Sequence, residues 1–318
     1  MPFAIAVVKV MVICLCLLCA GAAAALDHSY SNDTSLNADG NWIELQGENS
    51  IKLPMVSLSR ASVNWTYPIA SHPVYHESQM INATFFGSRD LANETIEVFV
   101  DDLAYSSFMR AVDVLDGPAN FTATFGTFGP YRLNSTGDAS FSLQGMAAGI
   151  YSIYVAFENS SWPLSASPLL VTETDMEVST PPVTSAGDLL AVKVKLDDGY
   201  DGRPLTYGTF IVSAEDYRAL TFNITGDGSR PGTVVNLRWN EEALSILGDS
   251  DIGWDLLARM LMIFPRDSAA ALQDSVDGEV TLYMITEDDW APGAYILTSI
   301  VLSQEGVVGL NQTEVMIV

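Results

Sequence analysis

Cysteine, histidine and basic residues are all scarce in this chain of 318 residues. The three cysteines, Cys14, Cys16 and Cys19, lie close together near the N terminus, and residues 20–318 contain none. This absence excludes disulfide bonds, thiol catalysis and cysteine-based metal sites from that part of the chain. A stable fold must therefore depend on a hydrophobic core, and the apolar content of 48% is sufficient to build one.

The chain also contains few positively charged residues. Fourteen Lys and Arg residues stand against 39 Asp and Glu residues, which gives a formal net charge of −25. A surface of that sign repels the phosphates of nucleic acids and of anionic lipids. We therefore expect no nucleic-acid partner, and a membrane contact only through an uncleaved N-terminal segment. The expected partners are envelope or surface proteins, or glycans.

Residues 1–25 have the pattern of a signal peptide. Lys9 is the only charged residue before Asp27, an apolar run covers residues 10–19, and small residues follow up to Ala25. Cleavage after Ala25 would place the mature protein outside the cell or on its surface. The alternative is an uncleaved N-terminal anchor, because residues 10–26 approach the ~17–25 residues that span a bilayer.

Two similar turns, 144 residues apart, organise the rest of the chain. They are Gly149-Ile150-Tyr151 and Gly293-Ala294-Tyr295, and each leads into a strand rich in β-branched and aromatic residues. We expect each glycine to take the positive φ of a tight turn. In immunoglobulin-type sandwiches, a Tyr near the start of the penultimate strand anchors the preceding corner. The recurrence predicts two related domains.

The predicted fold is all-β, with two tandem immunoglobulin-like β-sandwich domains. Each domain has a short helical insertion, which is larger in the second. The expected boundaries are a signal peptide (1–25), a flexible lead-in (26–50), domain 1 (51–178), a Pro/Ser linker (179–187) and domain 2 (188–318). Helical periodicity places the insertions at residues 104–115, 241–247 and 251–264. Alternating apolar residues predict strands at 80–86, 95–100, 139–143, 190–196, 208–212, 234–239 and 278–284. We expect 234–239 in the second domain to be the counterpart of 95–100 in the first.

Three stretches of the second half resemble a family of methanogen extracellular proteins. They are Tyr207–Val212, Asp216–Arg218 and Trp290–Tyr295, and the resemblance covers roughly residues 190–318. Members of this family are archaeal, secreted, acidic and β-rich. The resemblance implies an extracellular or envelope location and implies no catalytic residues.

Glycosylation is the strongest local signal in the sequence. Nine of the 14 asparagines begin an Asn-x-Ser/Thr sequon. Seven of the nine lie before residue 180, so we hypothesise that the first domain is glycosylated while the second keeps bare faces for protein contacts. The alternative is that a Ser/Thr-rich β protein contains incidental matches. The sequons are at Asn32, Asn64, Asn82, Asn93, Asn120, Asn134, Asn159, Asn223 and Asn311.

Signals for catalysis or metal binding are weak. His72 and His76 lie too far apart on an extended chain to share one zinc ion, and no nucleophile-elbow motif accompanies a histidine. The acidic stretches 197–202 and 287–289 could hold calcium, but Asp-Gly pairs also suit tight turns. We expect no enzyme activity, catalytic residue, metal or cofactor.

The sequence thus favours a secreted or cell-surface structural or adhesion glycoprotein that acts through noncovalent contacts. The alternative is an extracellular carbohydrate-binding or carbohydrate-active protein. Four tryptophans are candidates for a sugar-binding platform in that case: Trp42, Trp65, Trp162 and Trp290.

Overall fold

The computed structural model confirms that the protein is all-β. Its described residues form 22 strands, one α-helix and one short 3₁₀ turn. The helices predicted at 104–115 and 251–264 lie outside the described part. That part comprises residues 41–47, 49–53, 55–60, 63–67, 70–102, 126–158, 163–197, 202–226, 234–239, 242–247, 267–303 and 306–318.

The strands are numbered in chain order. They are β1 (Trp42–Gln46), β2 (Ser50–Leu53), β3 (Met55–Arg60), β4 (Val63–Tyr67), β5 (Ala70–His76), β6 (Ile81–Phe86), β7 (Thr95–Asp102), β8 (Gly126–Arg132), β9 (Ala139–Leu143), β10 (Gly149–Phe157), β11 (Pro163–Thr172), β12 (Met176–Ser179), β13 (Val183–Thr184), β14 (Leu189–Leu196), β15 (Leu205–Ser213), β16 (Thr221–Gly226), β17 (Val234–Trp239), β18 (Glu242–Leu247), β19 (Ser268–Ser275), β20 (Glu279–Ile285), β21 (Gly293–Leu302) and β22 (Val307–Ile317). The helix, α1, is Ala214–Ala219, and the 3₁₀ turn is Arg89–Leu91.

The N-terminal sheet pair consists of a three-stranded sheet, β1-β6-β9, and a six-stranded sheet, β2-β5-β11-β10-β7-β8. Alternation along β6 places Ile81 and Phe85 inside and Asn82 outside. The inward residues of both sheets form one buried cluster, which includes Val98, Tyr151 and others. Strand β1, which lies in the predicted lead-in (26–50), is an edge strand of the three-stranded sheet.

The C-terminal sheet pair repeats this arrangement. It consists of β12-β14-β20 and β13-β22-β21-β15-β19, packed around a second buried cluster. Taken in chain order, these strands correspond one to one with β1, β5, β6, β7, β8, β9, β10 and β11. Even the parallel pairing recurs, between β5 and β11 and between β13 and β22. The counterpart of β7 is β15, since each lies beside the tyrosine strand, so the predicted match with residues 234–239 is wrong.

A third sheet joins segments from both halves of the sequence, in the order β18-β17-β16-β3-β4. The hairpin β3–β4 leaves the N-terminal pair between β2 and β5, while β16, β17 and β18 leave the C-terminal pair between β15 and β19. Strand β16 pairs in parallel with β3 along six residues. Residues 241–247, predicted as a helix, contain strand β18, because its pairing with β17 outweighs a local helical pattern.

The predicted linker, residues 179–187, lies within the C-terminal sheet pair. Strand β12 pairs with β14, and β13 pairs with β22, so the proline-rich segment connects two strands of the same pair. The connection between the two sheet pairs is shorter and covers residues 173–175. Its backbone is held on both sides, because Thr172 Oγ1 donates to the Thr174 carbonyl oxygen and Thr174 N–H donates to the Val308 carbonyl oxygen, both at 3.0 Å.

Helix α1 begins at a side-chain cap that its sequence explains. The hydroxyl of Ser213 accepts the N–H of Asp216 at 3.0 Å and donates to the Asp216 carboxylate at 2.8 Å. This reciprocal capping satisfies a backbone donor that the first turn would otherwise leave free. The helix buries Tyr217, and the Tyr217 hydroxyl donates to the carbonyl oxygen of Lys52.

Lys52 is the centre of the side-chain contacts between the two sheet pairs. Its backbone N–H donates to Gln312 Oε1 at 2.8 Å, and its ammonium group donates to Glu314 Oε1 at 2.6 Å. With the bond from Tyr217, three separate groups of this one residue bind three residues of the C-terminal pair. These contacts and the β3–β16 pairing join the two sheet pairs at places other than the connecting segment, residues 173–175.

Candidate functional site

The two Gly-x-Tyr turns form the same hydrogen bond. The Tyr151 hydroxyl donates to the Ala147 carbonyl oxygen, and the Tyr295 hydroxyl donates to the Ala291 carbonyl oxygen, each at 2.9 Å. Gly149 does not take the expected positive φ. A Cβ at Gly149 would instead meet the Tyr151 ring at 3.1 Å, so this glycine leaves room for the ring. In both turns the tyrosine hydroxyl is thus used within the fold, in a bond to the backbone.

The second turn is more elaborate than the first. Trp290 is buried and its ring stacks on that of Tyr295, with centroids 5.2 Å apart. Burial, together with the carboxylate of Asp267, raises the pKa of Tyr295. Trp290 is thus a core residue and is removed from the candidates for a sugar platform.

The two described histidines, His72 and His76, belong to no group of three metal-ligating side chains. His72 is buried in β5, and burial lowers its pKa to about 4. His76 lies at the end of the same strand, where its Nδ1 is 3.0 Å from the Ser78 hydroxyl and its Nε2 is 3.8 Å from Asp175. Because 3.8 Å exceeds hydrogen-bond reach, Asp175 does not fix the imidazole tautomer as the carboxylate of a hydrolytic triad would.

The acidic candidates are dispersed or lie outside the described residues. Asp198–Asp201 fall outside that part. Glu287, Asp288 and Asp289 are exposed on the loop before Trp290. Within the described ranges, no three His, Cys, Asp or Glu side chains gather closely enough to hold a metal ion.

The described sequons differ in how accessible they are. Asn82 and Asn134 are exposed, and Asn93 lies in an exposed turn with φ of 69°. Asn311 is half-buried and its amide nitrogen donates to the Met176 carbonyl oxygen at 3.1 Å, which opposes modification. Asn64 lies on β4 and Asn223 on β16. The sequons at Asn32, Asn120 and Asn159 lie outside the described residues.

The outer surface of β14 and β20 is apolar at one end and charged at the other. We call it the β14–β20 face. Register pairs place Leu189 beside Ile285, and Tyr283 lies in the next outward row; these three side chains are 59%, 68% and 60% exposed, respectively. At the other end, Lys193 forms an ion pair of 2.8 Å with Glu279. An exposed apolar group of this kind is typical of a protein contact surface.

The outer surface of the other three-stranded sheet is different. We call it the β1–β6–β9 face. Trp42 on β1 is paired with Phe86 on β6, and their rings stack with centroids 4.9 Å apart and an interplanar angle of 22°. Trp42 is 51% exposed. Polar side chains occupy the remaining outward rows of this sheet: Glu44, Thr84, Ser140, Gln46, Asn82 and Ser142.

Sequence reasoning named Trp42 but missed its partner. Phe86 closes a predicted strand, and only the register between β1 and β6 brings it to Trp42. The role of Lys52 was also missed, because its three partners are at least 165 positions away. No local pattern encodes contacts across such distances.

Comparisons with known proteins find structural neighbours but no match to a family or to a curated protein. Among solved structures, red sea bream transglutaminase aligns with 86% of this chain at 10% identity and a TM-score of 0.29, over 32% of that enzyme. The chain therefore spans about a third of the length of this neighbour. A likeness at that level supports no inference about fold or activity. None of the described helices is long and apolar enough to cross a membrane.

Proposed function

We propose that this chain is a secreted or cell-surface structural or adhesion glycoprotein that acts through noncovalent contacts. The observation that carries the proposal is the β14–β20 face, where Leu189, Tyr283 and Ile285 are all more than half exposed. When a partner covers such side chains, the burial of apolar surface favours binding by roughly 25 cal/mol per Å². The catalytic alternative has no comparable support from the described residues.

Two immunoglobulin-like domains account for the repeated sheet order. In that fold, a tyrosine hydroxyl near the start of the penultimate strand bonds to the backbone a few residues upstream. Tyr151 and Tyr295 both form this bond, with partners four positions earlier. The domains we propose cover residues 42–172 and 176–318, with insertions that build the shared third sheet.

Export and glycosylation complete the proposal. Residues 1–25 would direct secretion, and the exposed Asn82, Asn93 and Asn134 are the described sequons best placed to carry glycans. Mass spectrometry of native protein should find modified peptides containing these residues and an unmodified Asn311. A native protein without any modified asparagine would contradict the glycoprotein part of the proposal.

The contact function is tested by charge substitutions on the β14–β20 face. The double variant Tyr283→Lys/Ile285→Lys should abolish adhesion of the protein to cells or envelope fractions of its source. Val276→Lys is a matched control, because Val276 is 55% exposed on a turn outside this face. Equal adhesion by the double variant and the wild-type chain would reject the face as the contact surface.

A further inference from the structure

Strand β20 is an open edge of the sheet β12-β14-β20 in the part of the chain that the structure describes. Its register with β14 is regular, because all seven of its residues pair with β14 without a bulge. An open edge can accept a further strand, and proteins usually protect it with proline, lysine, a bulge or a short strand. The seven residues of β20 include no proline and no basic residue, so these protections are missing.

Hydrogen bonds at the two ends of the β14–β20 pairing show which backbone groups face the open edge. The N–H of Leu196 donates to the carbonyl oxygen of Gly278 at 2.8 Å. The N–H of Thr286 donates to the carbonyl oxygen of Asp188 at 3.1 Å. Because every second residue of an antiparallel strand bonds to the same neighbour, the even-numbered residues of β20 bond to β14. The backbone groups of the odd-numbered residues point to the open edge and have no partner among the described residues: Glu279, Thr281, Tyr283 and Ile285.

The side chains of these four residues lie on the outer surface of the sheet, and two of them are large and apolar. Tyr283 and Ile285 are 60% and 68% exposed. The counterpart edge of the N-terminal pair, β9, is five residues long, and its exposed side chains are Ser140 and Ser142. The same position in the repeated arrangement is thus short and polar in one pair, but longer and apolar in the other. This difference indicates that another strand covers β20.

The charges of this sheet favour a second copy of the chain as the occupant. The chain has a formal net charge of −25, so two copies repel each other over most of their surfaces. A basic partner would be attracted to that acidic remainder instead. The exposed charged residues of β12, β14 and β20 are two glutamates and two lysines, which cancel: Glu177, Glu279, Lys193 and Lys195. This neutral sheet is a surface along which two copies of so acidic a chain can meet.

An antiparallel pair of β20 strands, related by a two-fold axis, is self-complementary. With Leu282 of the two copies opposite each other, all seven residues overlap and the open-edge groups face one another. Tyr283 then lies beside Thr281 of the second copy, and pairs of aromatic and β-branched side chains stabilise sheets. Ile285 lies beside Glu279 of the second copy, which keeps the two Glu279 carboxylates at opposite ends of the joint sheet.

We propose that two copies of this chain associate through β20, so that their three-stranded sheets join into one continuous sheet. The inference names the partner that covers the β14–β20 face, and it therefore rests on the contact role proposed for that face. One strand edge is a small interface, so the association is weak and reversible. Weak pairing gains avidity when many copies lie on one surface.

Sedimentation velocity of the full chain, from micromolar to millimolar concentrations, should show a reversible monomer–dimer equilibrium. Tyr283→Lys should weaken the dimer by about tenfold or more, because it places two lysines in adjacent rows of the joint sheet. Met80→Lys is the matched control, since Met80 is an apolar residue of the N-terminal pair and is 49% exposed; it should dimerise like the wild-type chain. A wild-type chain that stays monomeric overturns the proposal, as does a folded Tyr283→Lys variant that dimerises equally well.

Amide hydrogen exchange shows whether the dimer forms at the open edge. The N–H groups of Thr281, Tyr283 and Ile285 should exchange more slowly when the protein concentration is raised through the dissociation range. The amides of Ser140 and Ser142, on the counterpart edge β9, should exchange at an unchanged rate. A dimer that leaves the three β20 amides unprotected uses another surface and overturns the edge pairing.

Adhesion to envelope fractions separates this inference from the proposed function. If Tyr283→Lys/Ile285→Lys abolishes adhesion while the purified wild-type chain stays monomeric, the face binds a different protein. The proposed function then stands, and the second copy is rejected. If the purified chain dimerises through β20 while the double variant adheres normally, the second copy stands and the adhesive role is rejected.

Discussion

The ammonium group of Lys52 and the carboxylate of Glu314, 262 positions apart in the chain, form an ion pair of 2.6 Å. The same lysine also binds Gln312 and Tyr217 through its backbone. A residue that uses its N–H, carbonyl and ammonium groups at once has few alternative positions. The junction between the two sheet pairs is thus defined by hydrogen-bond geometry in addition to the pairing of β3 with β16.

Removal of the Tyr217 hydroxyl should weaken this junction. Tyr217→Phe keeps the buried ring but leaves the Lys52 carbonyl oxygen without its donor, and it also removes a 3.4 Å contact with Gln312. We expect a loss of about 1 kcal/mol in the free energy of unfolding, measured by urea denaturation. Tyr283→Phe, at an exposed position, should leave stability unchanged. Equal stability of Tyr217→Phe and the wild-type chain would contradict the assigned hydrogen bond.

The Lys52–Glu314 pair should contribute stability only above acidic pH. The hydrogen bond from Lys52, followed by its charge, lowers the pKa of Glu314 below its ordinary value of 4.5. A carboxyl with a lowered pKa stabilises the folded state above that ordinary value, and the contribution is lost as pH falls through the folded-state pKa. Both side chains are substantially exposed, so the contribution is at most about 0.5 kcal/mol.

The measurement compares Glu314→Gln with the wild-type chain at two pH values. At pH 7 the variant should be slightly less stable, and at pH 3 the difference should shrink. Added salt should also reduce it, because exposed charges are screened. A difference that is the same at both pH values would show that the charge of Glu314 is not its source.

The sequence predicted the sheets well where one face of each strand is buried. Residues 80–86 and 190–196 alternate between apolar and polar side chains, and both form strands with that alternation. Likewise, Gly-x-Tyr located the tyrosine strands β10 and β21. These features could be predicted because a strand with one buried face alternates apolar and polar residues, and because the turns share a short local motif.

The parts that could not be predicted depend on pairing between distant segments. Residues 242–247 have no clear alternation, and only their pairing with β17 makes them a strand. Neither the sequence of β3 nor that of β16 indicates their parallel pairing, because the choice of partner strand is set by the assembled fold. The Trp42–Phe86 stack has the same origin, because the register between β1 and β6 pairs the two residues.

Burial of His72 should make the protein less stable in mild acid. Its pKa is lowered to about 4 in the folded state, whereas an exposed histidine in the unfolded chain titrates near 6.5. Between these values the unfolded state binds a proton that the folded state does not, so stability falls as pH decreases from about 6.5 to about 4. Because one pKa unit corresponds to about 1.4 kcal/mol, the loss should be roughly 2–3 kcal/mol.

This loss is measured by urea denaturation of the wild-type chain and of His72→Gln from pH 7.5 to 4. The variant should be less sensitive to pH over this range. His76→Gln is the control, since His76 is half-exposed on the same strand, and its pH profile should match that of the wild-type chain. Identical profiles for His72→Gln and the wild-type chain would show that His72 is not the group responsible.

The turn between β8 and β9 should not tolerate a side chain at Gly137. This glycine has φ of 93°, and a Cβ would lie 2.1 Å from the backbone oxygen of Ser88, a group that cannot move without shifting the end of β6. Gly145 has φ of 69° but no heavy atom within 4 Å of its Cβ position. Gly145→Ala should therefore lower the free energy of unfolding by about 1 kcal/mol, the strain of placing alanine in the left-handed region. Gly137→Ala should lower it by more than about 2 kcal/mol, because the new Cβ also clashes with Ser88. If thermal melts show equal losses for the two variants, the close approach of Gly137 to Ser88 does not constrain the turn.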